Sequence, residues 1–283
     1  MLNTMDPIYF LITCTILGLV VGSFLNVVIY RLPLILQRNW RNECCELLAL
    51  KKGDEGAFNL ASPPSHCPQC KMPVRAWQNI PVLSFIFLKG RCAHCKVRIS
   101  WRYPFVELLT GGLTLWVAWH FGISLQTVMA IIFTWCLIAL TFIDLDHQLL
   151  PDNITLPLLW LGLLVNLTGL FTDIQSAVLG AAAGYLSLWI IARIFYHITG
   201  KTGMGHGDFK LFAAFGAWLG WQKLLLIIMC ASVLGLIVGV ILIVSKKHSR
   251  EIPISFGPYL AIAGWIALLW SDKLLSLYWQ WMQ

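Results

Sequence analysis

Several stretches of this chain run for about 18 residues or more without a charged side chain, long enough for a helix to cross a hydrocarbon core of about 30 Å. A chain with that pattern folds as membrane-crossing helices, because inside lipid the backbone must satisfy its own hydrogen bonds. Composition agrees: 58% of the residues are hydrophobic and 12% charged, whereas soluble domains carry roughly 25% charged residues. The first apolar run, about Pro7 to Tyr30, is too long for the apolar part of a secretory signal and lacks a basic segment before it. It reads as a retained span.

The charges orient the chain. Of 20 Lys and Arg, 12 lie between Arg31 and Arg102. Basic loops stay on the cytoplasmic side, which places this segment inside and the N-terminus outside. Arg193, Lys201, Lys246, Lys247 and Arg250 then also fall inside, leaving Lys223 and Lys273 for the outer face. Topology thus accounts for the formal charge of +7, and no nucleic acid is implied as a partner.

Spans are expected at about 8 to 30, 105 to 121, 125 to 143, 154 to 171 and 175 to 196, with outer turns near Gly122 and Asp173. Between Phe209 and Ser245 both ends are cytoplasmic, so two helices meet near Gly220-Trp221-Gln222-Lys223. The first of these, with about 13 residues, covers only roughly 20 Å and reads as a short or tilted span in thinned bilayer. A last span over about 254 to 271 leaves the C-terminus outside. The expected fold is an all-α polytopic membrane protein of about eight transmembrane helices, without an apparent internal repeat. Its regions are a first transmembrane helix at 1–31, a small cytoplasmic zinc-ribbon-like domain at 32–103, and a membrane-embedded domain at 104–283.

The polar segment contains a short helix over about 39 to 50, a turn at 52–56, and two C-x-x-C pairs, Cys67/Cys70 and Cys92/Cys95. Each pair folds a tight knuckle, and four thiolates complete a closed tetrahedral zinc site. Two disulfides are the alternative, but the basic flanks place the segment in the reducing cytoplasm. A closed site has no open position, so this zinc is structural. His66 and His94 read as surface residues, and Cys14, Cys136 and Cys230 as small core residues.

Chemistry is therefore sought at the acids. Asp144 ends one apolar run, and Asp208 stands at the head of another in Gly203-Met204-Gly205-His206-Gly207-Asp208-Phe209-Lys210. Acids at membrane-helix ends are costly to desolvate and signal function. Two nearby carboxyls in a partly dry site share a proton: the ionised member activates water and the protonated one polarises a peptide carbonyl. The glycines at 203, 205 and 207 are expected to supply positive φ and close approach for an extended peptide. Asp146 cannot point the same way as Asp144 on a helix. Asp152 reads as a helix-start residue, Lys210 as a snorkelling lysine or a partner for an acid, and Glu107 as a helix-start carboxylate or a third site acid. Asn26 reads as interhelical glue beside Gly22 and Ser23. Two other classes compete. An ion-coupled transporter also uses such acids, though nearer mid-membrane, and gives no reason for an appended zinc ribbon. A tethered nucleic-acid binder would need exposed aromatics, but packing accounts for Trp77 and Phe85-Ile86-Phe87.

The sequence resembles the bacterial type IV prepilin peptidases across nearly its whole length. The resemblance is carried by residues 22–33, both Cys pairs, Arg102-Tyr103-Pro104, Ile143-Asp144 through Pro151-Asp152, residues 203–210 and Phe256-Gly257-Pro258-Tyr259. The Gly-x-Gly-Asp at 205–208 relates it further to intramembrane aspartyl proteases. The resemblance implies an inner-membrane enzyme with both termini periplasmic. It would cleave basic leaders from prepilins and type II secretion pseudopilins after a glycine, then methylate the new N-terminus with S-adenosylmethionine. It also implies Asp144 and Asp208 as the catalytic pair, zinc on Cys67, Cys70, Cys92 and Cys95, and a role in methyl transfer for Gly90 with Arg91. No nucleotide-binding fingerprint accompanies the last two, so a peptidase without methyl transfer is the alternative. The partners implied are the basic-leader substrates with their apolar helix, and membrane lipid.

Overall fold

The structure is a computed structural model that describes residues 6–50, 56, 58–244 and 255–282. The expected turn residues 52–55 and the basic residues Lys246, Lys247 and Arg250 lie outside these. Among the described residues all regular structure is helical apart from two isolated β-bridges. Four helical stretches among the described residues are long and apolar enough to cross a membrane: Pro7–Leu47, Leu125–His147, Ile174–Thr199 and Trp221–Leu242. The chain forms two compact units, Met1–Thr127 and Val128–Gln283.

In the first unit α1 (Pro7–Leu47) packs along α3 (Arg102–Phe121), and a short α2 (Leu83–Phe87) lies between them in sequence. The α1–α3 contact is set by small residues. A Cβ at Gly18 would stand 2.8 Å from the Thr114 Cβ, and one at Gly22 2.8 Å from the Glu107 Cα. Thr110 and Thr114 turn their hydroxyls back to Val106 O and Thr110 O, both at 2.7 Å, so the tight interface buries no unpaired hydroxyl. Asn26 donates to Tyr103 O at 3.1 Å and is the expected glue.

Instead of a span ending near Tyr30 followed by a separate helix, α1 continues without a break for 41 residues. The charges that end the apolar run do not end the helix. Arg31 is buried and donates to Asn59 O, Leu60 O and Pro63 O, while Pro33, also buried, lies inside the helix and removes the bond its own N–H would make.

In the second unit the expected short span, α7 (His206–Leu219), is the central element. Asp208, Phe209 and every residue from Leu211 to Leu219 are buried, against α5 (Asp152–Asn166) and α6 (Ile174–Thr199) above all. A helix enclosed by protein need not match the thickness of lipid, which explains its 14 residues better than a thinned bilayer. Trp218 donates to Leu158 O at 2.8 Å, and its ring lies 4.8 Å from that of Phe133 on α4 (Leu125–His147). Asn166 caps the far end of α7 by donating to Ala217 O at 2.8 Å and Trp218 O at 3.0 Å. Gly220, at φ +84°, then turns the chain through Trp221–Lys223 into α8 (Leu224–Val244), as expected. The last helix is α9 (Gly257–Met282).

Candidate active site

Asp144 lies in the last turn of α4, where Gln148 at φ +50° ends the helix. It is buried, while Asp146 and His147 are exposed, as the two-residue offset requires. Ser255 donates its hydroxyl to Asp144 Oδ2, and the Gly257 N–H at the start of α9 is a second donor. A Cβ on Gly257 would collide with the same oxygen. Neither residue was picked out for a role by sequence reasoning. The available signal was Gly257-Pro258, a glycine just outside a proline suited to the first turn of a helix.

Asp208 lies in the first turn of α7, which begins at His206 rather than Phe209. Its N–H reaches Gly205 O at 3.2 Å, and its Oδ1 is buried with no hydrogen-bond partner among the described residues. The glycines before it do not adopt positive φ; Gly205 is extended at φ −77°, ψ 149°. Gly203 and Gly207 serve close approach instead, while Gly205 has room for a Cβ. A Cβ on Gly207 would stand 2.7 Å from Leu150 Cβ, and one on Gly203 2.8 Å from the Phe195 ring. Leu150 also lies 3.3 Å from the Cβ position of Gly257, so it is wedged between the backbone beside Asp208 and the backbone beside Asp144. The two carboxyls are near enough to act on one another electrostatically.

The neighbouring charges follow expectation in part: Lys210 partners an acid and Asp152 stands at a helix start. Lys210 donates to both carboxylate oxygens of Asp152 at 2.7 Å, joining the starts of α7 and α5. Asp152 makes no side-chain cap there. Partly exposed, such a pair contributes about 0–1 kcal/mol. In the first unit Glu107 lies beyond the first turn of α3 and accepts from Val82 N at 2.8 Å, fixing that residue at φ +59°. His206 packs near Phe209 and belongs to no metal-ligating group among the described residues.

Cys67, Cys70, Cys92 and Cys95 bring their sulfurs within 4.8 Å of one another, a set able to hold a metal ion. Separations of 3.7 Å for Cys67–Cys95 and 4.0 Å for Cys70–Cys92 fit the edges of about 3.8 Å of a tetrahedron with metal–sulfur bonds of about 2.3 Å. They are far longer than an S–S bond of about 2.05 Å. Two equivalent knuckles build the set, as the two C-x-x-C pairs lead one to expect. Cys67 N donates to Met72 O and Cys92 N to Val97 O, with Lys71 and Lys96 each at φ +59°. The N–H groups of Cys95 and His94 lower the pKa of the Cys92 thiol to about 6. His66 and His94 are exposed, as expected.

Gly90 follows α2 at φ +65°, donates to Phe85 O at 2.8 Å, and has the Phe85 ring 3.0 Å from its Cβ position. Its conformation and packing call for glycine whatever else it does. Arg91 is exposed and bridges to Arg98.

Comparison with known proteins matches residues 16–121 to the bacterial Peptidase A24 N-terminal domain and residues 131–240 to the type IV leader peptidase family. The prepilin leader peptidase/N-methyltransferase of Stutzerimonas stutzeri is 51% identical over 97% of this chain and 96% of its own length. Those of Legionella pneumophila and Neisseria gonorrhoeae are 50% and 51% identical, covering 96% and 91% of this chain and 95% and 90% of their own. No solved structure matches the chain. With half its residues shared along almost its whole length, the chain belongs to the type IV leader peptidase family.

Proposed function

We propose that the protein cleaves the basic leader from type IV prepilins and type II secretion pseudopilins at the cytoplasmic face of the bacterial inner membrane, and N-methylates the new terminus with S-adenosylmethionine. The observation that carries the peptidase reading is the convergence of two buried carboxyls, Asp144 and Asp208, around Leu150. The relatives' shared name supports both activities. Asp144, which receives donors from Ser255 and Gly257, is suited to carry the charge and activate water. Asp208, whose Oδ1 receives none, is suited to hold the shared proton and polarise the scissile carbonyl. An apolar substrate helix stays in lipid while its basic leader stays in the cytoplasm, so the scissile bond is presented at the depth of the two acids.

The layout that serves this reading has eight spans, both chain ends outside, and the zinc-binding segment 32–103 in the cytoplasm, ahead of an aspartyl peptidase domain over 104–283. Zinc on the four cysteines would fix the two knuckles as one body and would supply no reacting group. Methyl transfer is assigned to the surroundings of Gly90 and Arg91. The test is purified protein in detergent with a leader-bearing prepilin and labelled S-adenosylmethionine, cleavage and methylation being scored separately. Cleavage without label in the mature terminus would reduce the function to peptidase alone; no cleavage by folded wild type would overturn it.

Two local predictions accompany this reading. The purified protein should carry one zinc per chain by elemental analysis, and Cys70→Ser or Cys92→Ser should lose it and leave residues 58–101 open to proteolysis. Ser255→Ala removes one hydrogen bond to a charged group, worth about 1.5–3 kcal/mol, so kcat should fall roughly 10- to 100-fold. Ser255→Thr should restore most of it with KM unchanged.

A further inference from the structure

Packing is the sequence expectation for Trp77 and Phe85-Ile86-Phe87, yet in the structure only Phe85 packs, against Trp101 at 4.7 Å between ring centres. Leu83, Ile86 and Phe87 are 53%, 62% and 77% exposed, with Trp77 and Ile80 nearly half exposed beside them. These residues belong to Ala76–Leu88, a run without a charge, bounded by Arg75 on one side and Lys89 and Arg91 on the other, all three exposed. An uncovered apolar face of that size on a water-facing module would favour aggregation.

The anchoring of the run within its own unit places it deeper than the knuckles. Ser23 donates to Asn79 O at 3.4 Å, and Glu107 accepts from Val82 N at 2.8 Å. Ser23 lies about 12 Å along α1 from Arg31, and Glu107 about 7 Å along α3 from Arg102, at 1.5 Å per residue. Those arginines bound the basic segment on the two helices, so the backbone of 79–82 sits one to two turns inside those bounds, toward the apolar parts of α1 and α3. Trp101, which packs on Phe85, also lines a shallow apolar groove with Arg102, Pro104, Phe105 and Leu108.

We infer that residues 76–88 form a membrane-dipping loop whose Leu83, Ile86 and Phe87 enter the inner leaflet, with Arg75, Lys89 and Arg91 at the level of anionic lipid headgroups. The occupant of the uncovered face is lipid. Charge complementarity and continuity with the exposed flank of α1, where Phe24 is 54% exposed, both favour lipid over a soluble partner. The metal cluster then acts as a clip that folds the two arms of the loop back onto α1 and α3. This inference is independent of the catalytic roles given to the aspartates.

The test is photocrosslinking of the full chain in vesicles of phosphatidylglycerol and phosphatidylcholine, without substrate. Benzoylphenylalanine replaces Phe87, with Phe24 as the lipid-facing control and Gln69, exposed at a knuckle tip, as the aqueous control. Lipid adducts are expected at positions 87 and 24 and not at 69. At position 87 the adducts should be enriched several-fold in phosphatidylglycerol over its share of the vesicle. A working Phe24 control with no lipid adduct at 87 would overturn the inference. So would crosslinking at 87 to a second copy of the chain, or loss of the lipid adduct there when a prepilin is added. An adduct at 87 without enrichment would overturn the headgroup contacts.

Discussion

Asp144→Asn and Asp208→Asn should each lower prepilin cleavage by roughly 10²- to 10⁴-fold, the range that positioned acid–base groups contribute. The shape of the side chain is kept, but neither amide can take a proton from water or pass one to a leaving amine. The two losses should not add, because a dyad sharing one proton fails as a unit when either member is removed. Thermal stability separates the two variants from a folding defect. Asp208→Asn should change Tm little, since its Oδ1 has no partner to lose among the described residues and the amide oxygen can still accept from the Gly205 N–H. In Asp144→Asn the amide oxygen can still accept from Ser255. Methylation of a pre-cleaved substrate should survive in both variants. Full cleavage by either one would send the search for acids to Asp146, Asp152 and Glu107.

Gly216→Val should be nearly as damaging, through packing. A Cβ at Gly216 falls on the carbonyl of Gly180, and one at Gly180 falls 2.5 Å from Gly216 O, so α6 and α7 touch backbone to backbone. Neither partner is a flexible side-chain end that could move aside. The helices must separate or tilt, at a cost of about 1–3 kcal/mol or more for overpacking. The displaced helix is the one that carries Asp208 in its first turn. Expected are a lower Tm and lost cleavage with zinc content unchanged, because the cysteines belong to the other unit. Gly112→Ala is the control: nothing lies within 4 Å of its Cβ position, and the substitution should be neutral or stabilising by up to about 1 kcal/mol. Equal damage from both substitutions would point to general intolerance of the membrane helices and not to this crossing.

What could be read from the sequence was what one residue type in one spacing dictates. The C-x-x-C pairs specified a thiol cluster because a knuckle is a local structure, and the place of Asp144 and Asp208 at helix ends followed from where apolar runs stop. What could not be read depended on contacts between distant segments. Lys210 and Asp152 are 58 residues apart and gave no hint of pairing. Ser255 is 111 residues from the carboxylate it bonds. Gly203 and Gly207 were read through their backbone freedom, but their use is the absence of a side chain where Phe195 and Leu150 press in. The end of α1 was misplaced because hydropathy reports where lipid stops, and a helix stops only where its hydrogen bonds do.

That last difference has a mechanical side. At about 1.5 Å per residue α1 is a rod of roughly 60 Å, about twice the thickness of the hydrocarbon core. Pro33 removes one rung from its ladder, two residues past the guanidinium that grips Asn59, Leu60 and Pro63. Bending is easiest where a rung is missing. Arg38, past that point, lies over the Phe58 ring at 4.3 Å, so the far part of the rod is tied to the same loop that Arg31 grips, and the loop braces the helix across its weakest rung.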